Sequence, residues 1–417
     1  MSRFARCGMF CTALLAMSAI GCGSEDAAPA EQPERVEFLT FWQEGAELAA
    51  LEELINIHTA RRPNAEIITT FEPNGSYQDR LTQRMAEQNP PDTFQSNMGQ
   101  RLLIRQANLE PVRRGNWSMP EELLEVNSVG EDLYAVPISL IRQSSFYYNP
   151  ALFTQDEIDA MNVPGKAGVD ALLAACARIQ EEEGIQPFSL GNVYNWTLDM
   201  MFWEALFPAI VGPEYYQAFW KGEADPANDP QLDEALSYLL ELSQYFNADS
   251  AEIDFPEALD NIAEGEAACG QQGDWGTGML AAKFELGVEF DVMPFPGTSD
   301  LFIFSQDVLP IVAGTPNRAA TQELLNTIAT EELQIEFNRI KGQLPALTGM
   351  DVSSLNSAQQ AVYAHFDNAA ARIPVVHGYK PDDVMKDLSA IEKTMIETQD
   401  TEELKTYLTA NYGLLGD

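Results

Sequence analysis

Positive charge and histidine are scarce in this chain. Its 417 residues include 24 Lys+Arg against 64 Asp+Glu, a formal net charge of −40, and only 3 His. No Lys/Arg cluster reverses that field locally, so the surface repels phosphate backbones and anionic lipid heads, and nucleic acid is excluded as a partner. His58, His365 and His377 lie far apart, with no His or Cys near them at ligand spacing, so no metal site is expected. The familiar catalytic signatures are missing as well. There is no His-Glu-x-x-His helix, no Gly-x-Ser-x-Gly elbow and no Gly-x-x-x-x-Gly-Lys-Ser/Thr phosphate loop. The glycine-rich run 270–276 carries the indole of Trp275, which would block a close backbone approach to phosphate; no cofactor is expected.

Cysteine and long apolar runs are also few. Of 5 Cys, Cys7 and Cys11 fall in an N-terminal stretch where Arg3 and Arg6 precede an uncharged apolar run, from about residue 9 to residue 20. That run is too short to span a membrane and reads as a secretory signal, residues 1–21. It ends Ser18-Ala19-Ile20-Gly21-Cys22, which resembles the lipobox of bacterial lipoproteins and implies lipidation at Cys22, with Ala19 departing from the usual Leu or Val. Residues 22–35 are polar and rich in Pro and Ala, a flexible tether with nothing to bury. Cys176 and Cys269 remain in the folded body, where export allows a disulfide between them. The alternative is a pair of small buried hydrophobes, since Cys176 shares an apolar helical stretch with Leu172, Leu173 and Ile179.

What is present is material for a core. Hydrophobic residues make up 45% and aromatics 10%, which a disordered chain of this charge would lack. The length suits two or three domains, or one interleaved unit. From Val36 a β-rich run leads to Phe41-Trp42; then Leu48, Leu51, Leu54 and Ile55 recur at helical spacing. A strand over 65–71 and a helix marked by Tyr77, Leu81 and Met85 follow, before the breaker Pro90-Pro91. Such alternation argues for a parallel sheet covered by helices. Residues 133–149 form an extended stretch long enough to bridge two lobes. Helical patterns occupy 171–183, 198–207, 232–246 and 256–265, a β-run starts at Leu301, and helices return over 318–330, 332–341, 358–371, 382–398 and 401–411.

Trp42, Trp196, Trp203 and Trp275 stand near element ends, beside groups that hydrogen-bond, such as Gln43, Glu47, Asn195, Glu204 and Asp274. A sugar has C–H-rich faces and a rim of hydroxyls, so a site for it needs flat aromatic walls edged by amides and carboxylates. For any single Trp the competing reading is a core residue. Five segments change that weighting: 41–51 (which begins Phe41-Trp42-Gln43-Glu44-Gly45-Ala46-Glu47), 89–97 (which ends Asp92-Thr93-Phe94-Gln95-Ser96-Asn97), 265–275 (which ends Gly270-Gln271-Gln272-Gly273-Asp274-Trp275), 295–307 (which ends Ser305-Gln306-Asp307), and Lys341-Gly342-Gln343-Leu344-Pro345-Ala346 followed by His377-Gly378. In these segments and their order the chain resembles the solute-binding proteins of bacterial ATP-binding-cassette (ABC) sugar importers, in particular those that bind glucose and related monosaccharides.

The resemblance implies an α/β, two-lobed periplasmic-binding-protein-like fold of type II, with ligand in the interlobe cleft. The N-terminal lobe would comprise 36–145 plus 298–345, and the C-terminal lobe 146–297 plus 346–417. It further implies that Trp42 and Trp275 stack on a pyranose ring, with Phe41 as a further aromatic wall. Glu47, Gln95, Asp307, Lys341 and His377 would hydrogen-bond the hydroxyls, and Asn97 would stand where the glucose binders have His. Phe41 replaces a Trp, and Ser139-Leu140-Ile141 replaces an Asn-x-His. An unpaired hydroxyl costs roughly 1–3 kcal/mol, so either the ligand differs from glucose or a neighbour such as Arg142 or Gln143 substitutes; a different or larger saccharide is favoured. The implied function is capture of a mono- or small oligosaccharide, without enzymatic activity, and delivery to permease subunits by a lipid-anchored monomer in the periplasm or at the cell surface. An exported glycan-active enzyme and a binder of a cationic solute are the rival readings.

Overall fold

The computed structural model describes residues 34–380 and 382–411; the signal segment, Cys22 and most of the tether lie outside these residues. Strand β1 (Glu34–Thr40) starts earlier than the sequence pattern suggests, because Glu34 already pairs with Ala65. It buries Val36, Phe38 and Leu39 and leads into α1 (Gly45–Arg61), which buries Leu51, Leu54 and Ile57 at helical spacing. Strand β2 (Ala65–Phe71) and, after helix α2 (Asn74–Ala86), the short β3 (Thr93–Phe94) pair with β1 in parallel. The short β4 (Ser96–Asn97) follows and joins a second sheet.

Every residue of β5 (Ala135–Arg142) is buried, as suits a strand covered on both faces. Two residues later the chain enters β6 (Ser145–Tyr148), which belongs to a different sheet. The fold therefore crosses from one sheet to the next at Gln143-Ser144. Helix α3 (Lys166–Glu183) buries Leu172, Cys176 and Ile179, and α4 (Trp196–Met201) runs into a π-helical turn at Phe202–Leu206. Pro208 lacks the N–H that would bond the carbonyl of Glu204, and the Phe207 N–H bonds Phe202 O instead, which widens the turn. Helix α5 (Phe255–Glu264), strand β7 (Cys269–Gln272), helix α6 (Trp275–Ala281) and strand β8 (Asp291–Pro294) complete this part. The sheet order is β7-β6-β8, all antiparallel, so the parallel arrangement expected from the sequence does not extend to this sheet.

The chain returns through β9 (Leu301–Val312), buried along its whole length. It pairs antiparallel with β5 and β4, and its register with β5 shifts between Asp307 and Val308. Helices α7 (Arg318–Ile328) and α8 (Glu331–Lys341) pack Leu324, Leu325, Leu333 and Phe337 with Leu51 and Leu54 of α1 in one core. The helix expected over 358–371 ends at Asn368, and Ala371–Pro374 forms β10, parallel to β9. Helix α9 (Asp382–Thr398) packs against α4. Cys176 and Cys269 are buried and unbridged, in side-chain contact with each other, and Cys269 Sγ donates to Pro187 O at 3.5 Å; the candidate disulfide is not formed.

Candidate functional site

Five of the sequence-derived residues converge where β1, β3, β9 and α8 end or bend. Thr40 Oγ1 donates to Gln95 Oε1 at 2.8 Å, and this fixes the amide so that Gln95 Nε2 faces Asp307 Oδ1 at 3.3 Å. Tyr77 holds the same segment from behind, its hydroxyl donating to Gln95 O at 2.6 Å. Lys341 closes α8, where the helix dipole favours a cation, and Gly342 beyond it takes a left-handed conformation at φ +86. Lys341 Nζ lies 2.5 Å from Asp307 Oδ2 and 3.8 Å from Glu47 Oε1. Burial raises the Glu47 pKa above the ordinary carboxylate range, and the charge of Asp307 adds to the effect while Lys341 opposes it.

Trp42 belongs to this group in a role different from the expected one. It is fully buried, with Phe38 and Phe337 against its ring and Lys341 Nζ 4.2 Å from the ring centroid. No ring face is open for stacking in this conformation; the indole is a cation–π support for Lys341. Its Nε1 is buried without a hydrogen-bond partner among the described residues.

The second half of the site comes from the other sheet. Asp274 N–H donates to Arg142 O at 3.1 Å, and Arg142 N–H donates to Asp274 Oδ2 at 3.0 Å, so the turn before α6 is clamped to the end of β5. Burial pushes the Asp274 pKa up to about 7, and its Oδ1 has no partner among the described residues. Trp275 opens α6 with its indole folded over Gly273. A Cβ there would stand 1.9 Å from Trp275 Cζ3, so only glycine permits this placement. Unlike Trp42, Trp275 keeps part of its surface exposed.

The remaining residues occupy the border of this group. In the sheet, Ser139, Asp307 and Asn97 stand opposite one another on β5, β9 and β4, a row on one face beside the register shift. Ser139 Oγ is buried without a partner among the described residues, whereas Asn97 Oδ1 is taken by Arg101 at 2.6 Å. Phe41 is half-buried, edge-on to Tyr77 at 5.3 Å, and His377 lies on a 3-10 turn whose carbonyl approaches Gly99 too closely for any side chain there. Ile141 is buried. Arg142 directs its Nε to Ser145 Oγ at 2.8 Å, and burial lowers its pKa to about 10.

The sequence points to Glu204 and Asp274 only as hydrogen-bonding neighbours of Trp203 and Trp275, not as residues that hold the sugar. Glu204 is buried on the π-helical turn, accepts from the Gln143 side chain and the Val376 backbone, and has its pKa raised by burial to about 8. It thereby links the strand crossing to the turn that carries His377. The signal for it was Pro208, four residues on. Trp203 is a core residue, packed on Phe202, Phe207, Phe219 and Trp220, with its N–H donated to Glu392.

Comparison with known proteins agrees with this architecture. Residues 42–335 match the family described as bacterial extracellular solute-binding protein. An uncharacterised ABC transporter extracellular-binding protein of Pyrococcus horikoshii is 28% identical over 94% of this chain and 92% of its own length. The xylose/arabinose-binding protein XacG of Haloferax volcanii is 28% identical over 82% of this chain and 76% of that protein. Among solved structures, the bacterial solute receptor AcbH superposes with a TM-score of 0.79 at 16% identity, covering 92% of this chain and 99% of that one, and shares the fold. With the family match spanning most of its length, the chain belongs to the bacterial extracellular solute-binding proteins.

Proposed function

We propose that this protein captures a neutral mono- or small oligosaccharide between its two lobes and delivers it to the membrane permease of an ABC importer. The observation that carries this reading is the buried Asp307–Lys341 pair, bordered by Gln95, Glu47 and the unpartnered polar atoms Ser139 Oγ, Trp42 Nε1 and Asp274 Oδ1. A buried polar atom without a partner is costly, and a rim of sugar hydroxyls can both donate to and accept from such a set. Trp275 supplies the flat wall for a pyranose face, and Trp42 holds Lys341 in position. The relatives are consistent with the ligand class: XacG is a xylose/arabinose-binding protein, and AcbH is a receptor with a preference for β-D-galactopyranose.

Capture proceeds by closure of the lobes about the crossing at Gln143-Ser144 and the return between β8 and β9. N-terminal residues 36–145 plus 298–345 move as one lobe, and 146–297 plus 346–417 as the other. Acylation of Cys22 anchors the monomer to the membrane from the periplasmic or outer side, and the segment between Cys22 and Glu34 is the tether. A thermal-shift screen against mono- and disaccharides tests the reading. A saturable rise in melting temperature with at least one sugar is expected, and no shift with any member of the panel contradicts it.

A further inference from the structure

One exposed aromatic surface adjoins the candidate site and is used by nothing described so far. Tyr194, at 67% exposure, is the most exposed large hydrophobic side chain among the described residues, and Val193 beside it is 40% exposed. Trp196 follows, half-buried, with its ring centroid 6.5 Å from that of Trp275 at an interplanar angle of 53°. Phe255 backs Trp196 edge-on at 5.4 Å. Trp275 and Trp196 thus form an inclined aromatic pair, and Tyr194 is exposed two residues before Trp196 in the same segment.

The segment that presents these rings is rigid by construction. Asn192 N–H donates to Ser250 O at 2.7 Å and Val193 N–H to Ile253 O at 3.1 Å. Asn192 Oδ1 receives Thr197 Oγ1 at 2.8 Å and Leu198 N–H at 3.2 Å, while Thr197 Oγ1 also reaches Gly191 O at 2.6 Å. Gly191 packs so tightly on the backbone of residue 254 that an added Cβ would lie 2.1 Å from Asp254 O. Between the two rings Asn195 holds a left-handed conformation at φ +66, which is unfavourable for a residue with a Cβ and persists only where its surroundings impose it. Exposed aromatics held by a strained, pinned loop are the arrangement of a preorganised binding surface.

We infer that Trp196, with Tyr194 at its outer edge, forms a second sugar subsite, so that the ligand is an oligosaccharide whose first ring lies on Trp275 and whose next ring lies on Trp196. This rests on the reading of Trp275 as a sugar-stacking wall. The 6.5 Å between the rings is comparable to the distance between adjacent rings of a glycosidically linked chain. The 53° inclination selects a linkage that bends between the two residues. Aromatic faces at both positions match the C–H-rich faces of successive sugars, while the hydroxyl partners stay concentrated around Asp307 and Lys341.

The test is calorimetric titration of the full mature protein and its Trp196→Ala, Tyr194→Ala and Trp275→Ala variants with a monosaccharide and with the di- and trisaccharides built from it. The expected result is that Trp196→Ala loses at least tenfold more affinity for the trisaccharide than for the monosaccharide, with Tyr194→Ala showing the same bias more weakly. Tyr194 is too exposed for its truncation to unfold the chain, so this variant reports even if Trp196→Ala does not fold. If both variants weaken mono- and trisaccharide equally, or not at all, while Trp275→Ala weakens both, the second subsite is overturned and the first stands. If Trp275→Ala changes neither, the site reading on which the inference rests falls with it.

Discussion

Lys341 and Asp307 form a nearly solvent-free ion pair, Nζ to Oδ2 at 2.5 Å, with the ammonium seated over the Trp42 ring. The pair joins the end of one helix to the bulged position of the longest strand, and each of its members was legible in the sequence only as part of a larger resemblance.

Breaking this pair from one side leaves the other charge buried alone. Asp307→Asn and Lys341→Met are each expected to destabilise the fold by about 3–5 kcal/mol. The double variant Asp307→Asn/Lys341→Met is expected to lose less than the sum, because no isolated charge remains. Chemical denaturation of the three variants checks this, and strictly additive losses would show that the two groups do not act as a pair.

Gly273 allows the Trp275 indole to lie across the backbone, and an added methyl would collide with Cζ3 at 1.9 Å. Gly273→Ala is therefore expected to displace the indole, weaken sugar binding about tenfold or more, and leave the melting temperature within a few degrees of the parent. Unchanged affinity in calorimetry would mean that the indole's placement is irrelevant to the ligand.

Stability should fall as pH rises from 6.5 to 8. Burial holds Asp274 and Glu392 at about 7 and Glu204 at about 8, whereas in the unfolded chain these carboxyls release their protons near 4. The folded state accordingly binds more protons than the unfolded state across this window, and each unit of pH costs it stability. Three other groups oppose the decline without cancelling it: burial lowers the His58 and His365 pKa values, the latter to about 3, so near pH 6.5 only the unfolded chain protonates them, and Lys380, lowered to about 8, releases its proton in the folded chain toward the upper limit. Scanning calorimetry should show the decline, and a melting temperature that rises over the same range would contradict the assignment.

The formal charge is −40, acidic side chains such as Glu52, Glu181, Glu182 and Glu183 stand exposed on helices, and a neutral sugar is indifferent to this field. Added salt is expected to raise the melting temperature modestly by screening self-repulsion, with little effect on sugar affinity. A melting temperature that drops between low and physiological ionic strength would contradict this account.

Much of the fold was legible because strong periodicities survive folding. Strand β2 and helix α9 have the bounds that their patterns suggest, and the extended stretch before Asn149 does carry the crossing between sheets. The helix α6 was hidden because it begins in a glycine-rich run whose glycines serve close packing rather than a turn. Trp42 and Trp203 illustrate the limit on aromatic residues. Sequence context put both beside polar groups, yet one lies under Lys341 and the other in the core, since a tryptophan fits a buried pocket as readily as a wall. Glu204 was legible only as a polar neighbour of Trp203, because its partners, Gln143 and Val376, are brought to it only by tertiary structure.

The proposed function rests on a sugar held between Trp275 and the Asp307–Lys341 pair. Calorimetric titration of the parent protein and of Trp275→Ala with the sugar that gives the largest thermal shift tests it most directly. One saturable site is expected in the parent and at least a tenfold weaker one in the variant, with the fold intact by circular dichroism. Equal affinity in the two proteins would contradict it.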